Sequence, residues 1–183
     1  MPQKDRDSDE ALTDSYRLFH LLRQTSDAVH KTREVELKKY NITPEQAGAL
    51  VCIHSLGDKA TPAELSRWLF RERNSMNILL NRMYKLGMID KKKNSNRKNS
   101  IKLSLTKTGY QAYKHASEFN AFASIIEALP LKKRTQLWKL LQTIRLKVFE
   151  DLGIEPRVYS SILTEPLAID SDAPAPDGDT SKE

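Results

Sequence analysis

Apolar residues along this 183-residue chain recur at helical spacing over most of its length and switch once, briefly, to strict alternation. The first pattern runs from Asp14 to Tyr40, with Tyr16, Phe19, Leu22 and Val29 near one stripe and no proline or glycine to interrupt it. Thr43 and Gln46 then form a capping box that restarts a helix, for which Ala47, Leu50, Val51 and His54 are the expected buried face and Gly57-Asp58 the end. A shorter helix opens at Thr61, with Pro62 at its first position and Glu64 spaced to complete a second box, and turns Leu65, Trp68 and Leu69 inward. The next spans about Asn74 to Leu86, because Met76, Leu79, Leu80 and Met83 repeat at helical spacing and Gly87 fits a left-handed C-cap.

After Gly87 the period becomes two. Met88 and Ile89 read as one strand end, and Ile101 to Leu105 alternates as a half-buried partner, with Asp90 to Ser100 as the connecting loop. Helical spacing resumes from Thr108 to about Leu129, including Tyr110, Tyr113, Phe119, Phe122, Ile125 and Ile126, until Pro130 stops it. In the last helix, Leu131 to Leu152, Leu137, Leu141, Ile144, Val148 and Leu152 form a stripe that Trp138, Leu140 and Phe149 widen. So wide an apolar face is compatible with burial against a second subunit or with an extended intrachain core; periodicity does not separate the two. The predicted fold class is mainly α with a small β-hairpin wing, a winged helix-turn-helix flanked by terminal dimerisation helices. Its expected organisation is a flexible arm over 1–13, one domain over 14–152 and an acidic, largely unstructured tail over 153–183.

The helix beginning near Asn74 carries a chemistry of its own. Away from its apolar stripe lie Arg73, Asn74, Ser75, Asn77, Ile78, Asn81, Arg82 and Lys85, and no acid occurs from Arg73 to Lys85. A merely solvated helix face usually mixes glutamate with lysine, whereas asparagine and arginine pair with purine edges in a major groove and Ile78 can meet a thymine methyl. The loop after it supplies cations. From Lys85 to Lys107 there are eight basic residues against the single acid Asp90, and Lys92, Lys93, Asn96, Arg97 and Lys98 are the candidate wing contacts to phosphate or a narrow minor groove. A charge run alone is commonly a solvated loop; its place after a helix-turn-helix gives this one another use.

The pattern Asn81-Arg82-Met83-Tyr84-Lys85-Leu86-Gly87-Met88-Ile89 and the exit Ser104-Leu105-Thr106-Lys107-Thr108-Gly109 resemble the MarR family of bacterial and archaeal transcriptional regulators, over about Asp14 to Leu152. The resemblance implies a homodimer, joined through its terminal helices, that binds a palindromic operator in double-stranded DNA. It further implies a repressor, often released by a small ligand or by oxidation. Two positions depart from the family pattern. The wing has Asn96-Arg97-Lys98, or Arg97-Lys98-Asn99, where an Asp-Arg-Arg type tripeptide is common, so the arginine role passes to Arg97 and the bracing aspartate has no counterpart. Ile78 stands where a polar or basic side chain is more usual.

Charge follows the same division. The chain is +6 overall, but residues 1–10 are −2 and residues 164–183 are −5, which leaves +13 on 11–163, a field suited to a polyanion. The acidic tail is read as a flexible end, with weak competition for the basic face as the alternative. The start lacks an apolar signal region and no stretch of about eighteen apolar residues occurs, so a cytoplasmic protein without membrane insertion is expected. The single cysteine, Cys52, sits in an apolar run and is expected to act as a small buried hydrophobe. The four histidines lack metal-ligand spacing, and no phosphate loop or nucleophile elbow is present, so no metal, cofactor or enzymatic activity is expected. Tyr16, Phe19, His20, Trp68 and Tyr113 form the candidate ligand pocket, where the outer helices should meet the reading unit. Two function classes remain, a sequence-specific transcriptional regulator and a winged-helix protein-interaction module without operator recognition.

Overall fold

A computed structural model describes residues 3–93 and 101–154. Seven α-helices and one hairpin follow in the order α1 Gln3–Lys38, α2 Pro44–Leu56, α3 Pro62–Trp68, α4 Arg73–Lys85, β1 Ile89–Lys93, β2 Ile101–Leu105, α5 Lys107–Ser117, α6 Asn120–Glu127 and α7 Leu131–Asp151, with a 3-10 turn at Gly57–Lys59 after α2. The architecture is the expected winged helix-turn-helix with helices at both ends. Because no proline or glycine intervenes between Gln3 and Lys38, α1 starts at Gln3 instead of Asp14 and takes in most of the segment read as an arm.

The core gathers around α2, which buries Gln46, Ala47, Ala49, Leu50, Cys52 and Ile53 on nearly all its sides. Leu65 of α3, Met76, Leu80 and Met83 of α4, and Ile89 and Leu103 of the hairpin close over it. On α5, Ala112 and Ala116 lie four residues apart, and their small side chains let α5 pack closely along α2. Burial displaces one expected core residue. His54 is exposed, with its ring stacked on Tyr113 at 4.0 Å. Cys52 is fully buried, and desolvation, helped by the nearby Glu64 carboxylate, pushes its thiol pKa up to about 12.

Capping chemistry sets the helix starts. The Thr43–Gln46 box is reciprocal, at 3.3 Å and 2.9 Å. At Thr61 only the first half forms: the threonine oxygen accepts from the Glu64 amide, while the Glu64 carboxylate turns aside to accept from Arg67 at 2.7 Å. Thr106 caps α5, accepting from the Gly109 amide at 3.0 Å and donating to the Gly87 carbonyl at 2.6 Å. A Cβ at Gly109 would come within 1.7 Å of the Met88 carbonyl oxygen, so only glycine allows α5 to start against the hairpin.

The hairpin pairs Ile89 with Leu105, Lys91 with Leu103 and Lys93 with Ile101, antiparallel. Asp90 to Lys93, read from the sequence as loop, therefore belong to β1, because Ile89 and Leu103 anchor a register that carries the ladder outward to Lys93. The amide of Leu103 also donates to the Ala60 carbonyl, tying the hairpin to the start of the helix-turn-helix.

The helix expected over Thr108 to Leu129 is broken, with α5 ending at Ser117 and α6 beginning at Asn120. The break is held from α1. Arg33 and Glu36, with side chains only 11% and 8% exposed, form an ion pair. Arg33 donates to the carbonyls of Ala116 and Glu118, capping the C-terminus of α5, and its guanidinium lies 4.2 Å from the Phe119 ring centroid. Glu36 accepts from the Ala121 amide in the first turn of α6. Cation at a helix C-terminus and anion at a helix N-terminus both oppose the local backbone charge.

The stripe Leu137, Leu141, Ile144, Val148 and Leu152 of α7 and its C-cap is 36–62% exposed, so the described part of this chain does not form the extended intrachain core that periodicity allowed. Phe149 is the exception at 3%. It reaches back to Phe70, whose φ of +50° in the turn between α3 and α4 is rare for an aromatic residue, with ring centroids 5.8 Å apart. No helix among the described residues is long and apolar enough to cross a membrane.

Two stability tests follow from this packing. Burial alone would raise the Glu36 carboxyl pKa, but the Ala121 amide and Arg33 outweigh it and hold the pKa below its ordinary 4.5. Its contribution is therefore complete above that value and fades as pH falls through the lowered one. Glu36→Gln should cost about 3 kcal/mol at neutral pH, and urea melts should show the gap to the parent closing in acid. In native protein Cys52 should resist a thiol reagent that labels it at once after denaturation.

Candidate nucleic-acid interface

The α4 helix owes its orientation to its apolar spacing. With Met76, Leu80 and Met83 fully buried, the opposite side must face solvent, and Arg73, Asn74, Ser75, Asn77, Ile78, Asn81, Arg82 and Lys85 are all exposed. Gly87, with a φ of +67°, ends the helix and directs the chain into β1. The hairpin thus rises from the same end of α4 that presents Asn81, Arg82 and Lys85.

Several cations of the molecule are paired with acids: Arg67 with Glu64, Lys102 with Asp58 at 2.6 Å, Lys147 with Glu150 and Asp151. The Lys102 hydrogen bond, reinforced by its charge, holds the Asp58 carboxyl below its ordinary pKa. Among the described residues no acidic side chain pairs with Arg73, Arg82, Lys85, Lys92 or Lys93. Lys92 and Lys93 are exposed on β1, beside Lys102 and Ile101 of β2, while Asn96, Arg97 and Lys98 lie outside the described residues.

Lys91 behaves differently from its neighbours. Being two residues from Ile89, its side chain leaves the hairpin on the face turned toward α4. Its ammonium donates to Asn81 Oδ1 at 2.6 Å and lies 5.9 Å from the Tyr84 ring centroid. Partial burial lowers its pKa from the usual lysine value. From sequence it counted only as one cation of a loop, since its partner sits ten residues earlier on a different element.

The five residues read as a ligand pocket are not brought together. Tyr16, Phe19 and His20 cluster on one stretch of α1 where Tyr16 and Phe19 are exposed, and Tyr113 stacks on His54. Trp68 alone of the five lines a cavity of about 520 Å³ between α1, α2, the end of α3 and the α5–α6 break. Its apolar wall includes Val29, Val51, Leu69 and Phe122; at its polar edge Glu45 is approached by Arg71 at 3.4 Å and His30 at 3.8 Å. Desolvation would raise the Glu45 carboxyl pKa, but hydrogen bonds from its own amide and Thr43, with Arg71 and His30 nearby, bring it below normal. No grouping of histidine, cysteine and carboxylates suited to a metal occurs among the described residues.

The sequence matches no family model and no curated protein. Its three-dimensional fold does have counterparts. The organohalide-sensing transcriptional regulator RdhR in its ligand-free form aligns with a TM-score of 0.68 and 21% identity, over 78% of this chain and 88% of its own. The same regulator is also known bound to 2,4-dichlorophenol. A mutant MarR from E. coli complexed with operator DNA aligns at 0.66 and 19% identity, over 72% of this chain and 95% of its own. MepR from S. aureus, also in complex with DNA, aligns at 0.61 and 17% identity, over 70% and 96%. At these identities the shared property is the fold, the winged helix-turn-helix of MarR-type regulators.

Proposed function

We propose that this protein is a dimeric, sequence-specific DNA-binding transcriptional regulator, a repressor of a nearby operon that a small ligand releases. The observation that carries this reading is the outer face of α4, fully solvent-facing, rich in asparagine and arginine and free of acid. A helix so presented fits the major groove, where its side chains meet base edges, while Lys92 and Lys93, with Asn96, Arg97 and Lys98 that follow them in the sequence, grip the flanking phosphates or minor groove. The same arrangement of elements occurs in a regulator bound to its operator.

A second copy is the natural cover for the exposed stripes of α7 and of the first half of α1. Two reading helices fixed at one separation would then require an inverted repeat of matching spacing. The effector reading rests on the cavity under α1, which combines aromatic and aliphatic walls with a polar edge of Arg71, His30 and Glu45 and so suits a small, mainly apolar aromatic ligand. The candidate pocket is accordingly narrowed to Trp68 and its neighbours in this cavity.

Selection from random duplexes should enrich a short inverted repeat, with affinity falling steeply as salt rises. Asn81→Ala should cost about 1–3 kcal/mol on the preferred repeat while barely changing binding to random duplex, and Arg97→Ala should weaken both and reduce the salt slope by about one. Equal losses on both duplexes for the two variants, or no enriched sequence at all, would favour the interaction-module reading instead. Independently, Ile144→Glu should convert the protein to a monomer by sedimentation and abolish repeat binding without lowering its helix content.

A further inference from the structure

An asparagine in a major groove ordinarily reads adenine with both ends of its amide, accepting from N6 and donating to N7. Asn81 has one of the two acceptor positions of its oxygen already taken. A lysine ammonium has no acceptor, so the Asn81 atom it contacts at 2.6 Å must be the oxygen, and the amide NH2 is the end left to face outward. Asn81 and Tyr84 are three residues apart on α4, and together they hold the Lys91 ammonium from two sides, through the amide oxygen and the aromatic ring. The stem of Lys91 is half-buried, which restricts where that charge can go.

Resting on the reading of α4 as the base-contacting helix, we propose that Lys91 is a specificity-determining residue that biases Asn81 toward donating, selecting guanine over adenine at the base pair Asn81 meets. The major-groove edge of guanine offers two acceptors, N7 and O6, and so matches an amide NH2 backed by a positive charge. Adenine would instead turn its N6 amino group toward the Lys91 ammonium, donor against donor, with only the second lone pair of the Asn81 oxygen left to accept it. Lys91 thus acts as a positioning residue through Asn81, on the inner face of the wing, while Lys92 and Lys93 beside it remain available to phosphate.

The test compares base profiles selected from random duplexes by the full chain and its variants. Asn81→Ala should flatten one position in each half-site, thereby identifying the base pair concerned. At that position the parent should prefer guanine to adenine by on the order of tenfold. Lys91→Met, which keeps the stem and removes the charge, should shift the preference toward adenine and leave the other positions unchanged. Lys91→Arg should retain guanine, and thermal melts should show all variants folded. An enriched repeat whose profile is the same in Lys91→Met and the parent, or an arginine variant that behaves like the methionine one, would overturn this inference alone. Failure of the parent to enrich any sequence would overturn it together with the regulator reading.

Discussion

A single amphipathic constraint on α4 underlies the rest of this molecule. Thirteen residues can bury only one stripe, and Met76, Leu80 and Met83 commit that stripe to the core formed by α2, α3 and the hairpin. Every residue that would read bases is held in place by these three, because a rigid helix cannot rotate its outer face without exposing its inner one. Losing one buried methionine or leucine side chain from such a site costs about 2–5 kcal/mol, well above anything a solvent-exposed asparagine contributes to folding. The outer face is therefore free to be chosen for recognition, and its lack of acid is not a requirement of the fold.

The hairpin is joined to that helix by contacts whose chemistry explains the local sequence. Thr106 bonds to both the Gly87 carbonyl and the Gly109 amide, and Gly109 gives way to the Met88 carbonyl. These constraints lock the two ends of the hairpin to the end of α4 and the start of α5. Lys91 adds a third link, from the strand to the outer face of α4. The hairpin is consequently oriented by α4 as well as by its own ladder.

Local rules made much of this legible in the sequence. Capping threonines, apolar spacing and the shift to alternation located α2, α3, α4, β2 and α7 closely, because each of those signals acts within a few residues. What remained hidden depends on partners far apart in the chain. The α5–α6 break needs Arg33 and Glu36, more than eighty residues upstream. The stacking of the exposed His54 on Tyr113 joins residues far apart in sequence, and the Asn81–Lys91 bond follows from strand register. The pocket expected where the outer helices meet the helix-turn-helix is not formed by Tyr16, Phe19, His20 and Tyr113; the cavity lies where α1 crosses α2, which only the packed helices determine.

That crossing also accounts for how distant parts of the molecule are joined. Arg33 and Phe119 line the cavity and also belong to the clamp that fixes the α5–α6 break, while Trp68 and Leu69, on another wall, lie at the end of α3. Immediately after them comes Phe70, strained into a left-handed conformation and braced by Phe149 from α7. The cavity therefore touches both the joint that orients the terminal helices and the turn that leads into α4. A group entering it must displace or contact atoms of both, and a packed joint with a strained residue responds by shifting between discrete arrangements more readily than by deforming smoothly. Two mechanical elements, the clamp at the α5–α6 break and the turn between α3 and α4, thus share the wall of one cavity.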